Sequence, residues 1–386
     1  MQGLPIRRTV VLLYPSDELT RLYSSCAEEV IHIPGARFPH TTGFWLRVWN
    51  PFHWYLGVRW LFSFLGTLQA LKTAVRSLSP DAIHLNSATL VPYAPFLAPV
   101  PVILHMREWV VSGSLGIRKR MLEAISTRWI AGIIYICRDY VVNSPPGPTP
   151  HVVVLNPVQE KAAGDLPVRL MDRMVSWRAA KPEVPIAVYV GGLSYIKGAE
   201  FLARVWKQLG DGRCRLVVAG QFDAPKRARH LQFAAWVQSY MPAKQSSARI
   251  RRQWQAYKDK PDVFFAGFVP CPTELMRVAD LTLVPFVEPH FARPVLEAAS
   301  VGCRTLVSRI GGLECLLEDG LATQGFESDD PGSFVQAIED ILTQWASVRQ
   351  PLEPVSLSDL DPVTHAKAVL AFVQETVVAG MSDGSR

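Results

Sequence analysis

Short apolar runs, each closed by a turn or a polar tail, recur along the first 157 positions of the chain. Arg7 to Pro15 (RRTVVLLYP) has a basic entry, an apolar run and a turn, the pattern of a strand buried on both faces. Similar runs follow at 82–87 (AIHLNS), 101–108 (PVILHMRE), 130–140 (IAGIIYICRDY) and 151–157 (HVVVLNP), with helix-like stretches between them. Such alternation predicts an open parallel sheet. It pauses over 158–184, a mixed, charged stretch carrying Pro167 and Pro182, which reads as a connection between domains. It then resumes: a strand ending in glycines at 185–192 (PIAVYVGG), a helix over 198–209 and a strand at 214–220 (CRLVVAG). After a long basic insertion come a strand at 263–268 (VFFAGF), a helix at 273–280, a strand at 281–286 (LTLVPF), a helix at 293–302 and a strand at 303–309. The expected fold class is α/β, with two Rossmann-like domains at 1–157 and 185–362, a linker at 158–184, and a last helix near 363–380 packing back on the first domain.

One stretch breaks the pattern. Residues 44–65 (FWLRVWNPFHWYLGVRWLFSFL) hold four tryptophans. Arg47, Pro51, His53 and Arg59 exclude a membrane span. An interfacial segment, with aromatics at the acyl boundary and arginines at the headgroups, and an outer helix packed on the sheet both fit. The net charge of +6 suits anionic ligands or an anionic membrane surface, and no nucleic-acid motif accompanies it. The basic insertion 226–260 reads either as a solvated helical excursion or as an adaptor surface for membrane or nucleic acid. The six cysteines form no CxxC pair, and the apolar run Thr9 to Tyr14 is too short for a signal peptide, so a reducing cytoplasm is expected.

Ligands of such sheets bind at the carboxyl ends of strands and at helix N-termini. Val190 to Gly198 ends one strand: Gly191 and Gly192 let a backbone approach a diphosphate, and Lys197 supplies a point charge, or the segment is only a turn with a surface lysine. Glu288 to Ala299 (EPHFARPVLEAA) follows another strand and opens a helix whose dipole favours phosphate. Glu297, near one turn in, could accept bonds from two ribose hydroxyls or serve as a structural cap.

The runs GGLSYIKG (191–198), VVAG (217–220), FFAGFV (264–269), ADLTLVPF (279–286), PHFARPVLEAASVG (289–302) and IGGLE (310–314) together resemble the retaining glycosyltransferases of family four, which have the GT-B fold of two Rossmann-like domains facing across a cleft. Order and spacing match over about 130 residues. The resemblance implies a donor site in the C-terminal half. Lys197 would hold the donor diphosphate, Gly191, Gly192 and Gly220 would line the donor site, and Phe268 and Val269 would lie near the nucleobase. Ala292 to Val295, including Arg293 but not Pro294, would offer backbone N–H groups to phosphate and sugar, Phe291 would line the donor site, and Glu297 would hold the ribose. The sequence departs from the pattern in three places. Gly192 stands where the family has an arginine, Ala292 where it has a glycine, and Pro289 where it has the first of two glutamates. Glu288, one position early, or His290 would take that glutamate's role.

In the N-terminal half, PDAIHLN (80–86) and VVVLNP (152–157) resemble family segments, and His105 matches a histidine that faces the donor sugar. Arg107 and Glu108 would bind acceptor or pair with each other. Ser16 lies where the family has a glycine-rich loop on the acceptor side. The resemblance implies transfer with retention, no metal and no cofactor, from a nucleotide sugar (UDP- or GDP-linked) to a saccharide or lipid-linked saccharide. The setting implied is bacterial cell-surface polysaccharide synthesis in the cytoplasm or on the inner membrane face. The alternatives are a catalytically degenerate nucleotide-sugar-binding partner, an epimerase of nucleotide sugars, and an adaptor.

Overall fold

In a computed structural model, described over residues 6–13, 16–33, 35, 51–112, 116–158, 166–210, 212–220, 247–345, 351–355 and 361–382, the chain divides into two compact units. Residues 1–157 and 359–386 form the first and 158–358 the second. All strand pairs among the described residues are parallel, as long crossovers through helices require.

The second unit holds one six-stranded sheet. Its strands are β7 (Ile186–Val190), β8 (Arg215–Ala219), β9 (Val263–Gly267), β10 (Leu281–Val284), β11 (Arg304–Arg309) and β12 (Gln324–Glu327), in the order β12-β11-β10-β7-β8-β9. Alternation along β7 and β8 sorts the core. Ala187, Tyr189, Leu216 and Val218 pack on one face with Phe201, Leu202 and Phe334, from α6 (Ala199–Val205) and α11 (Pro331–Thr343). Ile186, Val188, Val217 and Ala219 pack on the other with Leu275, Met276 and Ala298, from α8 (Pro272–Val278) and α9 (Arg293–Ser300).

The stretch 158–184 is not a bare connection. Val168–Ala180 forms helix α5, and Leu170, Met174 and Trp177, spaced four and three apart, enter the second unit's core. Asp280 fastens it: one carboxylate oxygen takes the Ile186 N–H at 2.7 Å and pairs with Arg178 at 2.5 Å. The basic insertion ends in helix α7 (Ser247–Gln255), which buries Ile250 and Trp254, and the Trp254 indole donates to Ala199 O at 3.1 Å. Residues 226–246 of that insertion, and 44–50 of the aromatic stretch, lie outside the described residues.

In the first unit β1 (Thr9–Leu12) pairs with β2 (Glu29–His32), and β3 (Ile83–Leu85), β4 (Val102–Met106), β5 (Gly132–Tyr135) and β6 (His151–Val153) form a sheet in chain order. The apolar run at 130–140 is strand only to Tyr135. Helix α4 (Arg138–Asn143) takes its polar end. Three further helices are α1 (Asp17–Ser24), α2 (Pro51–Leu78) and α3 (Ile117–Trp129), with a 3-10 segment at Ala88–Phe96. The short α10 (Glu314–Glu318) belongs to the second unit, and the last helix, α12 (Pro362–Ser382), returns to the first. On α12, Val369 joins Ile103, Ile134 and Val154 in the core, and Phe372 lies over Gly132, where an added Cβ would stand 2.9 Å from the ring.

Gly198 sets the start of α6. Its φ is +77°, and an added Cβ would stand 1.7 Å from Pro285 O. Gly212 has a similar φ of +80° with nothing within 4 Å. Gly198→Ala is therefore expected to lower stability in urea by clearly more than the ~1–2 kcal/mol of left-handed strain that Gly212→Ala costs. Equal losses would show that the approach to Pro285 is not tight.

Candidate functional site

The chain leaves β7 for β8 and β9 on one side, then returns to β10 on the other, so the strand order reverses between β7 and β10. In open α/β sheets this switch point opens a crevice at the carboxyl ends of the strands. Two loops flank it, 191–198 after β7 and 285–292 after β10, and the Val287 N–H donates to Ile196 O at 3.0 Å between them. Phe286 O is held by the hydroxyls of Ser308 (2.6 Å) and Ser328 (3.1 Å), which fixes the second loop from below. Glycines allow the backbones to close up. Gly220, with φ +133°, would place a Cβ 2.6 Å from Gly192, and Gly312, with φ +92°, would place one 2.9 Å from the His290 carbonyl carbon.

Lys197, Arg293 and Glu297 meet at this point. The Glu297 carboxylate is 5% exposed, and Arg293 Nε donates to its Oε1 at 2.7 Å across one turn of α9. Burial pulls the Lys197 ammonium below its ordinary pKa, the Arg293 guanidinium pulls it further, and the Glu297 carboxylate opposes both. Two cations and one carboxylate thus share a small volume, an arrangement suited to a diphosphate beside a polyol.

The start of α9 offers less backbone than the sequence suggested. Pro294 has no N–H, and the Val295 N–H donates to Ala292 O at 3.0 Å. Ala292 caps the helix without a side-chain bond. The positive charge at this end of α9 comes from the side chains of Lys197 and Arg293. Phe291, Ala292, Val295 and Val269 are buried, whereas Phe268 is 68% exposed. Glu288 is half-buried, its carboxyl raised above the usual range by burial, and its charge is felt by the Tyr195 hydroxyl. The His290 ring lies 5.8 Å from that of Phe286.

The first unit gathers the other candidates. His105, next to last on β4, is 2% exposed. Its ring stacks with those of His84 (5.4 Å) and His365 of α12 (6.2 Å). His365 Nδ1 lies 2.9 Å from Leu155 O. Nε2 of His105 is buried and has no hydrogen-bond partner among the described residues. Arg107 and Glu108 each hydrogen-bond elsewhere, while the Glu108 charge is felt by the Arg107 guanidinium. Arg107 Nη2 donates to Asn156 Oδ1 at 2.8 Å. Both Glu108 oxygens are spent on the 3-10 segment, accepting from Ser87 Oγ (2.6 Å) and the Ala88 N–H (2.9 Å). The Ser16 hydroxyl caps α1, accepting from the Leu19 N–H at 3.2 Å. Glu108 and Ser16 thus each serve a structural role. The imidazole stack and the Asn156 contact were beyond sequence reasoning, since their members lie far apart in the chain.

Burial, then Arg107 and the neighbouring imidazoles, push His105 from 6.5 down to about 2. It is a neutral hydrogen-bonding group at physiological pH, not a base that carries a proton. Unfolded, His105 takes a proton near its ordinary value, and folded it does not. Its contribution to stability is therefore present above pH 6.5 and is lost as pH falls. Stability measured in urea should fall below that pH, with His105 contributing at most ~1.4 kcal/mol per pH unit. His105→Gln is expected to flatten the limb by one proton, and an unchanged slope would remove His105 as its source.

Residues 184–344 match the family of glycosyl transferases group 1. A 161-residue stretch is 27% identical to an uncharacterized glycosyltransferase of Methanocaldococcus jannaschii, covering 41% of this chain and 36% of that protein's length. Over nearly its whole length the chain is similar in structure to HepE of Anabaena, solved in complex with UDP-glucose. The TM-score is 0.65 at 14% identity, covering 95% of this chain and 91% of that one. The sucrose-phosphate synthase of Thermosynechococcus elongatus gives a TM-score of 0.59 at 16% identity, with 98% of each chain covered. At these identities the structures speak for the fold, and the second unit's sequence speaks for the family. Residues 184–344 thus resemble the group 1 glycosyl transferases, and the chain has the GT-B fold.

Proposed function

We propose that the protein is a retaining glycosyltransferase that moves a sugar from a nucleoside-diphosphate sugar to a saccharide or lipid-linked saccharide, without a metal ion, in cell-surface polysaccharide synthesis. The observation that carries this reading is the meeting of Lys197, Arg293 and Glu297 at the switch point of a group 1 domain. Glu297 accepts from the ribose hydroxyls. Lys197 and Arg293 face the diphosphate, and Phe268 offers its exposed ring to the base. HepE was solved with UDP-glucose, which makes uridine diphosphate the first nucleotide to try and leaves guanosine diphosphate the second.

In the reaction the bond from the anomeric carbon to the diphosphate oxygen breaks, and negative charge grows on the leaving group. Lys197 and Arg293 stabilise that charge where it develops. The acceptor hydroxyl attacks from the face the diphosphate leaves, and its proton passes to a phosphate oxygen. Glu288, with its raised pKa, and His290 lie on the loop after β10 and position the sugar. His105, held neutral, offers a hydrogen bond rather than a base.

A second reading, a partner protein that binds the nucleotide sugar without turnover, is favoured by Gly192 in the place of the family's arginine. Arg293 restores that cation in the first reading. In the second the shortage stands.

A thermal-shift series with UDP, GDP, ADP, TDP and CMP tests the donor site, since a nucleotide that binds only the folded state raises the midpoint by mass action. One nucleoside diphosphate should stabilise the parent protein and neither Glu297→Ala nor Lys197→Ala. No stabilisation by any nucleotide would sink the donor site. Turnover of the matching nucleotide sugar excludes the partner reading. Arg293→Ala separates two roles for that side chain. Loss of a phosphate contact weakens the diphosphate by about tenfold or more while leaving the bare nucleoside unaffected. If Arg293 only blocks Glu297, both bind more tightly.

A further inference from the structure

Helix α2 has two faces in its first half. Phe64 and Leu68 are buried, and the Phe64 ring stacks on Tyr93 of the 3-10 segment at 4.5 Å. On the opposite side stand Trp54 (62% exposed), Tyr55, Val58, Leu61, Phe62 (71% exposed) and Leu65, all exposed. At 3.6 residues per turn these six fall within one arc of roughly 120°, a stripe about 17 Å long. The same arc continues as Gln69, Lys72 and Arg76, and Arg59 flanks the apolar part. The stripe is rich in the aromatic side chains that settle where hydrocarbon meets water.

Charge identifies the occupant. Helix α2 has no Asp or Glu along its length, yet it carries Arg59, Lys72 and Arg76. The 3-10 segment on which α2 packs, ATLVPYAPF, adds no acid. A protein partner in the form of a second copy would set this basic surface against itself, with no carboxylate to meet it. An anionic lipid surface supplies negative headgroups beside an apolar layer a few ångströms deep. No helix among the described residues is long and apolar enough to cross a membrane. We propose that the outer face of α2, from Trp54 to Leu65, docks the protein in the plane of an anionic lipid bilayer.

The test is flotation of the full-length protein with phosphatidylcholine vesicles, with and without phosphatidylglycerol. The parent protein should float with the anionic vesicles and less so as salt rises. The double variant Trp54→Ser with Phe62→Ser should lower the partition coefficient by about tenfold or more. Arg59→Glu should lower it on anionic vesicles alone. An unchanged urea midpoint checks that the variants fold. An environment-sensitive dye on Phe62→Cys, in a Cys26→Ser background, should shift its emission on anionic vesicles. The same dye on Val142→Cys, which is 81% exposed on α4, should not. The proposal is overturned if the parent protein ignores anionic vesicles, if the double variant floats equally well, or if the two dye positions respond alike. A dimer in solution that the double variant splits into monomers would overturn it too, naming a second copy as the occupant.

Discussion

A carboxylate taken out of water must find compensating charge. Glu297 sits at 5% exposure between Leu296 and Ala298, both fully buried, and left alone it would carry a heavy desolvation cost. Arg293 answers it from one turn earlier and Lys197 from the neighbouring loop. Lys197 is where it is because the next residue is Gly198, whose Cα lies so close to Pro285 O that no side chain fits. The Val287–Ile196 hydrogen bond then locks the two loops together. The buried charge, the glycine and the reversal of strand order are one arrangement, and each makes sense only with the other two. What the fold contributes is a place; the chemistry comes from these few side chains.

The parallel strands could be read from the sequence because burial on both faces calls for near-continuous apolar runs, broken in β4 only by His105 and in β8 only by the opening Arg215. Two strands lack that signature. β2 reads Glu-Val-Ile-His with its ends exposed, and β12 reads Gln-Gly-Phe-Glu with one buried side chain, so neither stood out. Helix α5 was hidden for another reason. Its Leu170, Met174 and Trp177 have helical spacing, but flanking prolines and a charged outer face made the stretch look like a connection. At the site, Lys197 and Glu297 were legible because motif and spacing point at them, and the Arg293–Glu297 pair follows from a separation of four.

Partners distant in sequence were not legible. Nothing near Glu108 announces that its two oxygens will be consumed by Ser87 and Ala88, 21 and 20 positions earlier. Likewise Arg107 finds Asn156 49 positions away. The three stacked imidazoles come from β3, β4 and α12, and only the completed unit brings them together. Sequence patterns report which groups will be buried, whereas the bonds that satisfy them depend on which strand ends become neighbours.

The order in which the chain is made gives α12 a consequence of its own. The first unit is opened by residues up to 157 and finished by residues after 358, so the second lies between its two parts. As synthesis proceeds, the second unit can complete its sheet while the first still lacks Val369, Phe372 and His365. Until those residues emerge, the faces of β4 and β5 around Ile103 and Ile134 have no cover on that side. The nascent chain must therefore hold an apolar surface open across the whole time taken to make the second unit, which exposes it to aggregation and to chaperones. The first unit is sealed only once α12 has been made.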